Sequence, residues 1–256
     1  MIRSTEVGRL RIFGINLTIV FAAVIFWAGF GQSQFASAAK ITYKHGKNAQ
    51  PFRIWITGTI KKGDGARFLK ITEEQYFRSG YQGKPVVYLN SRGGSVHEAL
   101  KIGILIRTFG MQTYIDHRKV CYSACSMIFV AGYDLFNEIP NRVKSRSGRL
   151  GVHRPHDRVK GRIIDSLKVE ESEWLRQYLD TMNAGNNLFQ LTINTSPKRI
   201  RIIKNRELAT MGAYALKDRR GRLRMVPPAE FVPLPVRRDG IENNNKIPRS
   251  FWSFDP

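Results

Sequence analysis

The chain has 256 residues, 42% of them hydrophobic, with 42 Lys plus Arg against 20 Asp plus Glu and a formal charge of +22. That length and apolar content suit one sizeable α/β core with extra arms better than two small domains. A field of this sign favours anionic partners such as nucleic acid, acidic lipid headgroups or an acidic protein. No recognisable nucleic-acid module accompanies it, so a solvated basic surface is the plainer reading and no specific nucleic acid is expected.

Residues 1–39 stand apart. Arg3, Arg9 and Arg11 precede an uncharged, mostly apolar stretch over residues 12–34, and Ala36-Ser37-Ala38-Ala39 follows as a small-residue site of the type leader peptidases cut. Cleavage after Ala38 or Ala39 is the favoured reading; an uncleaved membrane anchor is the alternative, because residues 12–31 are long enough to span a bilayer. Either way the arginines favour an inside amino end and export of the rest, which suits a bacterial periplasm.

Residues 40–51 are polar and read as a loose lead-in. Residues 52–58 alternate apolar and polar like a strand, Gly63-Asp64-Gly65 marks a turn, and residues 66–79 read as an amphipathic helix. Val86-Val87-Tyr88-Leu89 reads as a buried parallel strand that ends in a Gly93-Gly94 loop. A helix over residues 96–109 and a strand over 111–115 follow. Ser123 then opens a short apolar helix that runs to Gly132.

Residues 135–148 look like a polar, basic connection, and residues 150–153 like a short strand. Residues 164–191 have helical spacing, Ser196-Pro197 opens a further helical piece, and residues 206–216 form a short helix leading to an edge element. The domain is expected over residues 40–218. Residues 219–256, Arg- and Pro-rich without a clear period, read as a basic peripheral tail. Alternating strands and helices from Phe52 to His153 predict repeated βαβ units, whose sites gather at the carboxyl ends of strands.

Three pieces carry chemistry. A double glycine after a β-run can offer backbone donors to an oxyanion, Ser123 can attack, and His153 can take its proton. Cys121 and Cys125 flank the serine. Four apart on a helix, their Cα atoms would lie about 6 Å from each other, within disulfide range. The alternative is two small buried apolar side chains. No spaced cluster of His and carboxylates appears, so neither metal nor cofactor is expected.

Asn90-Ser91-Arg92-Gly93-Gly94-Ser95, then Ser123-Ala124-Cys125-Ser126-Met127-Ile128-Phe129-Val130-Ala131-Gly132, then Gly151-Val152-His153-Arg154-Pro155 resemble, in this order, the proteolytic subunit of Clp protease. More narrowly they are similar to exported relatives of that subunit with a Cys-x-Ser-Ala-Cys motif. The resemblance spans about residues 53–218. It implies a ClpP/crotonase-type α/β fold of repeated ββα units, a serine peptidase acting on a peptide or protein, and self-association into homo-oligomers. It places the nucleophile nine residues before the glycine that ends the apolar helix, which is Ser123 rather than Ser126. It also makes the Gly93 and Ala124 backbone amides the oxyanion donors.

The third triad member departs from that pattern. The family has an aspartate before the short helix that Glu207-Leu208-Ala209-Thr210-Met211-Gly212 resembles, yet residues 183–206 contain no Asp or Glu. Asn194 or Asn205 could orient the imidazole, as an amide does in some cysteine proteases; Asp180 comes too early. The expected function is an exported serine hydrolase. The alternative is an inactive crotonase-fold protein that binds peptides or other partners.

Overall fold

The computed structural model describes residues 38–45, 51–79, 83–160, 162–164, 168–208, 214–217, 220 and 222–226. All belong to the compact unit Ser37–Pro256. The leader before Ala38 and the tail beyond Val226 lie outside the described residues. Among the described residues, no helix is long and apolar enough to cross a membrane.

The chain begins with β1 (Lys40–Lys44), β2 (Arg53–Thr57), α1 (Asp64–Ser79), β3 (Val86–Asn90), α2 (Val96–Thr108) and β4 (Gln112–Ile115). Next come β5 (Val120–Tyr122), α3 (Ala124–Val130), β6 (Tyr133–Asp134), β7 (Ile139–Pro140), β8 (Arg142–Ser145) and β9 (Arg149–Val152). The remainder is β10 (Asp157–Val159), β11 (Arg162–Ile164), α4 (Val169–Thr181), α5 (Asn186–Asn194), β12 (Arg201–Ile202), α6 (Asn205–Leu208), β13 (Tyr214–Lys217) and β14 (Leu223–Val226).

The main sheet has the order β1-β2-β3-β4-β8-β13-β14. β2, β3, β4, β8 and β13 run parallel, and β1 and β14 close the edges antiparallel. A second sheet, β12-β9-β5, holds β5 parallel to β9 and β12 antiparallel to it. This is the α/β architecture of repeated strand–helix units that the alternation predicts.

Period-two patterning explains the sheet. Ile54, Ile56, Val87 and Leu89 are buried on one face, while Trp55 stacks on Tyr88 on the other at 5.2 Å. Burying each of these aliphatic side chains stabilises the fold by about 1.5–3 kcal/mol. α2 starts where Ser95 Oγ accepts from the Glu98 amide and lays Ala99, Ile102 and Ile106 into the core. α3 is apolar all round except for Ser126 and is wholly buried, as a central helix must be. Tyr178 of α4 fixes it from outside by donating to the Met127 carbonyl at 2.7 Å.

Five segments differ from the sequence reading. The lead-in contains β1, and the polar connection contains β8, a buried strand of the main sheet. Arg142 and Lys144 are tolerated there because backbone carbonyls receive them: Arg142 donates to Met182 and Asn183, and Lys144 to Ser145 and Gly148. Leu223–Val226, assigned above to the tail, forms the edge strand β14. Ser196-Pro197 opens a turn rather than a helix, with the Arg199 amide donating to the Ser196 carbonyl at 3.1 Å. The stretch of helical spacing over residues 164–191 resolves into parts of α4 and α5, parted at Asn183 and Gly185, both with positive φ.

Candidate active site

The end of β3 leaves the main sheet and joins the second one. Ser91 bridges Cys121 in parallel: its amide donates to the Val120 carbonyl at 2.8 Å, and the Tyr122 amide donates to the Ser91 carbonyl at 3.0 Å. This carries the Gly93-Gly94 loop over the carboxyl end of β5. The loop is held from behind by Ile60, whose amide donates to the Gly93 carbonyl at 2.9 Å and whose carbonyl accepts from the Ser95 amide at 2.9 Å.

Both glycines are required by geometry. Gly94 has φ +141, and a Cβ there would fall 2.1 Å from the Ile60 carbonyl oxygen. Gly93 has φ +101, and its Cβ would come within 2.7 Å of Ser123 Cβ, 2.8 Å of the Tyr122 carbonyl oxygen and 3.1 Å of the Ala124 nitrogen. Gly93, Ser123 and Ala124 therefore adjoin one another. Ala124 is the first residue of α3, so its amide has no acceptor within the helix. The Gly93 amide donates to Ser91 Oγ at 3.0 Å.

Ser123 sits at the strand-to-helix turn with φ 56 and ψ −129, a backbone conformation that non-glycine residues rarely adopt. It holds the N-cap position of α3, yet its hydroxyl makes no cap hydrogen bond. Its amide is tied to the Gly151 carbonyl at 2.9 Å. The residue is half-buried, whereas Ser126 is fully buried and donates its hydroxyl to the Ser123 carbonyl at 2.6 Å. Ser126 is a helix residue bonded back to the preceding turn, with no route to a substrate.

β5 and β9 are paired so that Tyr122 faces Gly151. Ser123 directly follows the last residue of β5, and His153 directly follows Val152, the last residue of β9, which puts the two at neighbouring strand ends. His153 is buried, and its Nδ1 lies 2.8 Å from the Arg154 carbonyl oxygen. A carbonyl only accepts, so the contact places a ring hydrogen on Nδ1, the tautomer in which Nε2 of the neutral imidazole is the acceptor. The Arg154 amide in turn donates to the Thr195 carbonyl at the end of α5, at 2.9 Å. The His156 ring lies 5.0 Å from that of His153, tilted by 42°.

Asn205, expected as an orienter of the imidazole, follows β12 in the chain. β12 runs antiparallel to β9, pairing Arg201 with Val152 and Ile202 with Gly151. The Ile203 amide then donates to the Leu150 carbonyl at 2.9 Å, and Asn205 opens α6. Asn194 donates to Gln190 Oε1 at 3.3 Å, and Asp180 pairs with Arg176 at 3.1 Å. Sequence reasoning missed the Arg154 carbonyl, which no residue type announces. It also missed the Ser91 hydroxyl, for which the Ser-x-Gly turn pattern was the available signal.

Cys121 and Cys125 are joined in a disulfide with Cα atoms 5.1 Å apart, linking β5 to the first turn of α3 on either side of Ser123. Among the described residues, no group of three or more His, Cys, Asp or Glu side chains could hold a metal ion.

No protein-family model and no curated protein matches the sequence. Solved structures do. The chain is similar to a serine-to-alanine mutant of the 1510-N membrane-bound stomatin-specific protease, with TM-score 0.47 and 13% identity over 62% of this chain and 74% of that one. A lysine-to-alanine mutant of the same protease in complex with a substrate peptide aligns with TM-score 0.47 and 14% identity, over 62% of this chain and 70% of that one. The ClpP protease catalytic domain from Plasmodium falciparum aligns with TM-score 0.42 and 18% identity, over 62% and 79%.

Proposed function

We propose that this protein is an exported serine hydrolase, a peptidase that forms an acyl-enzyme on Ser123. One observation carries the reading: Gly93, Ser123 and the Ala124 amide adjoin at the strand end next to the one from which His153 emerges. The strained turn and the unused capping position of Ser123 support it, since neither is explained by holding the helix.

In this mechanism Ser123 Oγ attacks a peptide carbonyl carbon while His153 Nε2 takes the hydroxyl proton. The oxyanion is received by the Ala124 amide at the positive end of α3. The Gly93 amide joins it on exchanging Ser91 Oγ for the substrate oxygen. Collapse of the adduct breaks the C–N bond, and the leaving amine takes the proton from His153. Water then repeats the sequence on the acyl-enzyme, releasing the acid. The Arg154 carbonyl, accepting from Nδ1, holds the imidazole tautomer throughout.

The test is fluorophosphonate labelling of the full chain with mass mapping. Modification of Ser123 that disappears in Ser123→Ala and weakens in His153→Gln supports the reading; labelling unchanged in Ser123→Ala rejects it.

A second reading, peptide binding without turnover, is favoured by one contact, the donation of the Gly93 amide to Ser91 Oγ. Saturable peptide binding without labelling or cleavage would select it. Export to a periplasm is proposed on the layout of residues 1–39 and agrees with a disulfide beside Ser123.

A further inference from the structure

Ala39 is a small residue at the edge of the fold, yet it is 1% exposed and bonded through both backbone groups. Its nitrogen donates to Asp64 Oδ2 at 3.3 Å, and its carbonyl accepts from the Arg67 guanidinium at 2.8 Å. Asp64 has no exposed surface and opens α1. It also accepts from the Lys61 amide at 2.9 Å and from Arg67. The residue before, Ala38, is the third of the Ala36-Ser37-Ala38 triplet. A leader peptidase that requires small residues one and three positions before the cut would cleave after it.

We propose that Ala38–Ala39 is the processing site and that the new amino terminus, the ammonium of Ala39, seats on the buried carboxylate of Asp64. The inference rests on the export reading and not on the catalytic one. Hydrolysis adds water across the Ala38–Ala39 peptide bond, leaving a carboxylate on Ala38 and an ammonium on Ala39, with no change of oxidation state. Cleavage acts on the extended chain at the membrane, before Ala39 is buried; docking follows as the domain folds. The neutral amide contact to Asp64 then becomes an ion pair inside the protein, where charge-assisted bonds are strongest.

The seat discriminates between the two cuts that the leader sequence allows. Cleavage after Ala39 would remove the methyl group buried there and the carbonyl that receives Arg67, and would leave Lys40, an exposed residue, as the terminus. The seat also adjoins the candidate active site. Lys61, held by Asp64, directly follows Ile60, which clasps Gly93 and Ser95 through both of its backbone groups. Processing would thereby brace the support of the glycine loop.

The full chain should be expressed in a secreting bacterium and its terminus read by intact mass and terminal sequencing. Ala39 is expected; a retained leader, or a terminus at Lys40 or beyond, overturns the proposal. The mature protein is then reductively methylated at neutral pH beside the free peptide Ala-Lys-Ile-Thr-Tyr, and modification of the α-amine is mapped by fragmentation. In the seat the amine is buried, which shields it from the reagent, and the Asp64 carboxylate favours its protonated form against the opposing effects of burial and of Arg67, so the α-amine should react about tenfold slower than in the peptide. An equal rate overturns the seat. In mature Asp64→Asn the protection should vanish; protection that persists overturns the role of Asp64, and the wild-type comparison decides the seat without that variant. Fluorophosphonate labelling of Ser123 reads the catalytic proposal separately, so either can fail alone.

Discussion

Gly93 lies against Ser123 so closely that a methyl group on the glycine would come within 2.7 Å of the serine Cβ. With φ +101, that position is closed to side chains both by contact and by backbone conformation. Gly93→Ala should therefore displace the loop. Expected outcomes are a loss of stability of at least about 1 kcal/mol from backbone strain, read by urea denaturation. Fluorophosphonate labelling of Ser123 should fall about a hundredfold, the scale of losing one oxyanion donor. Wild-type labelling in the variant would detach the glycine from the site.

Ser123 and Ser126 should separate cleanly. Ser126→Ala removes a buried hydroxyl whose acceptor, the Ser123 carbonyl, still receives the residue 126 amide at 2.8 Å. It should cost about 1 kcal/mol of stability and leave labelling within about threefold. Ser123→Ala should abolish labelling and leave the melting temperature unchanged or raised. Labelling that follows Ser126 would reverse the assignment.

The disulfide between Cys121 and Cys125 closes a short loop, so the chain-entropy account assigns it only about 2 kcal/mol. Thiol titration of the unfolded, unreduced protein should find no free thiol, and after reduction both cysteines. The denaturation midpoint should drop modestly with dithiothreitol. A collapse of the fold on reduction would show that the bond organises the Ser123 turn beyond its loop entropy.

Lys144 gives a pH dependence with a definite sign. Burial pushes its pKa down from 10.5 to about 8. Below that value folded and unfolded chains both hold the proton, and the folded state bears the full penalty of a buried charge. Between about 8 and 10.5 the unfolded chain retains a proton that the folded one has released, so stability contributed by this group rises with pH. Lys144→Met removes the titration. Wild type should gain on the variant in melting temperature across that window, and a constant gap would show that Lys144 keeps its ordinary affinity for protons.

Periodicity made much of the framework legible. The alternation of residues 52–58, the aliphatic run ending β3 and the apolar faces of α1 and α2 each reflect local patterning against one core, and together they imply the α/β class. β8 was illegible because Arg142 and Lys144 look like solvent-facing residues; only a folded chain can bring the carbonyls of Met182, Asn183, Ser145 and Gly148 around them.

The same division runs through the candidate site. Residue types and order, read with the family resemblance, singled out Gly93, Ser123 and His153, because an attacking hydroxyl, a base and a close backbone approach each demand a particular side chain or none. The partner of His153 Nδ1 had no such signature. Every residue carries a carbonyl, and which one reaches the imidazole was decided by the turn at Arg154 and its anchor on Thr195. The seat of Ala39 on Asp64 is likewise a contact across 25 positions, set by how β1 and α1 come together and invisible to any local pattern.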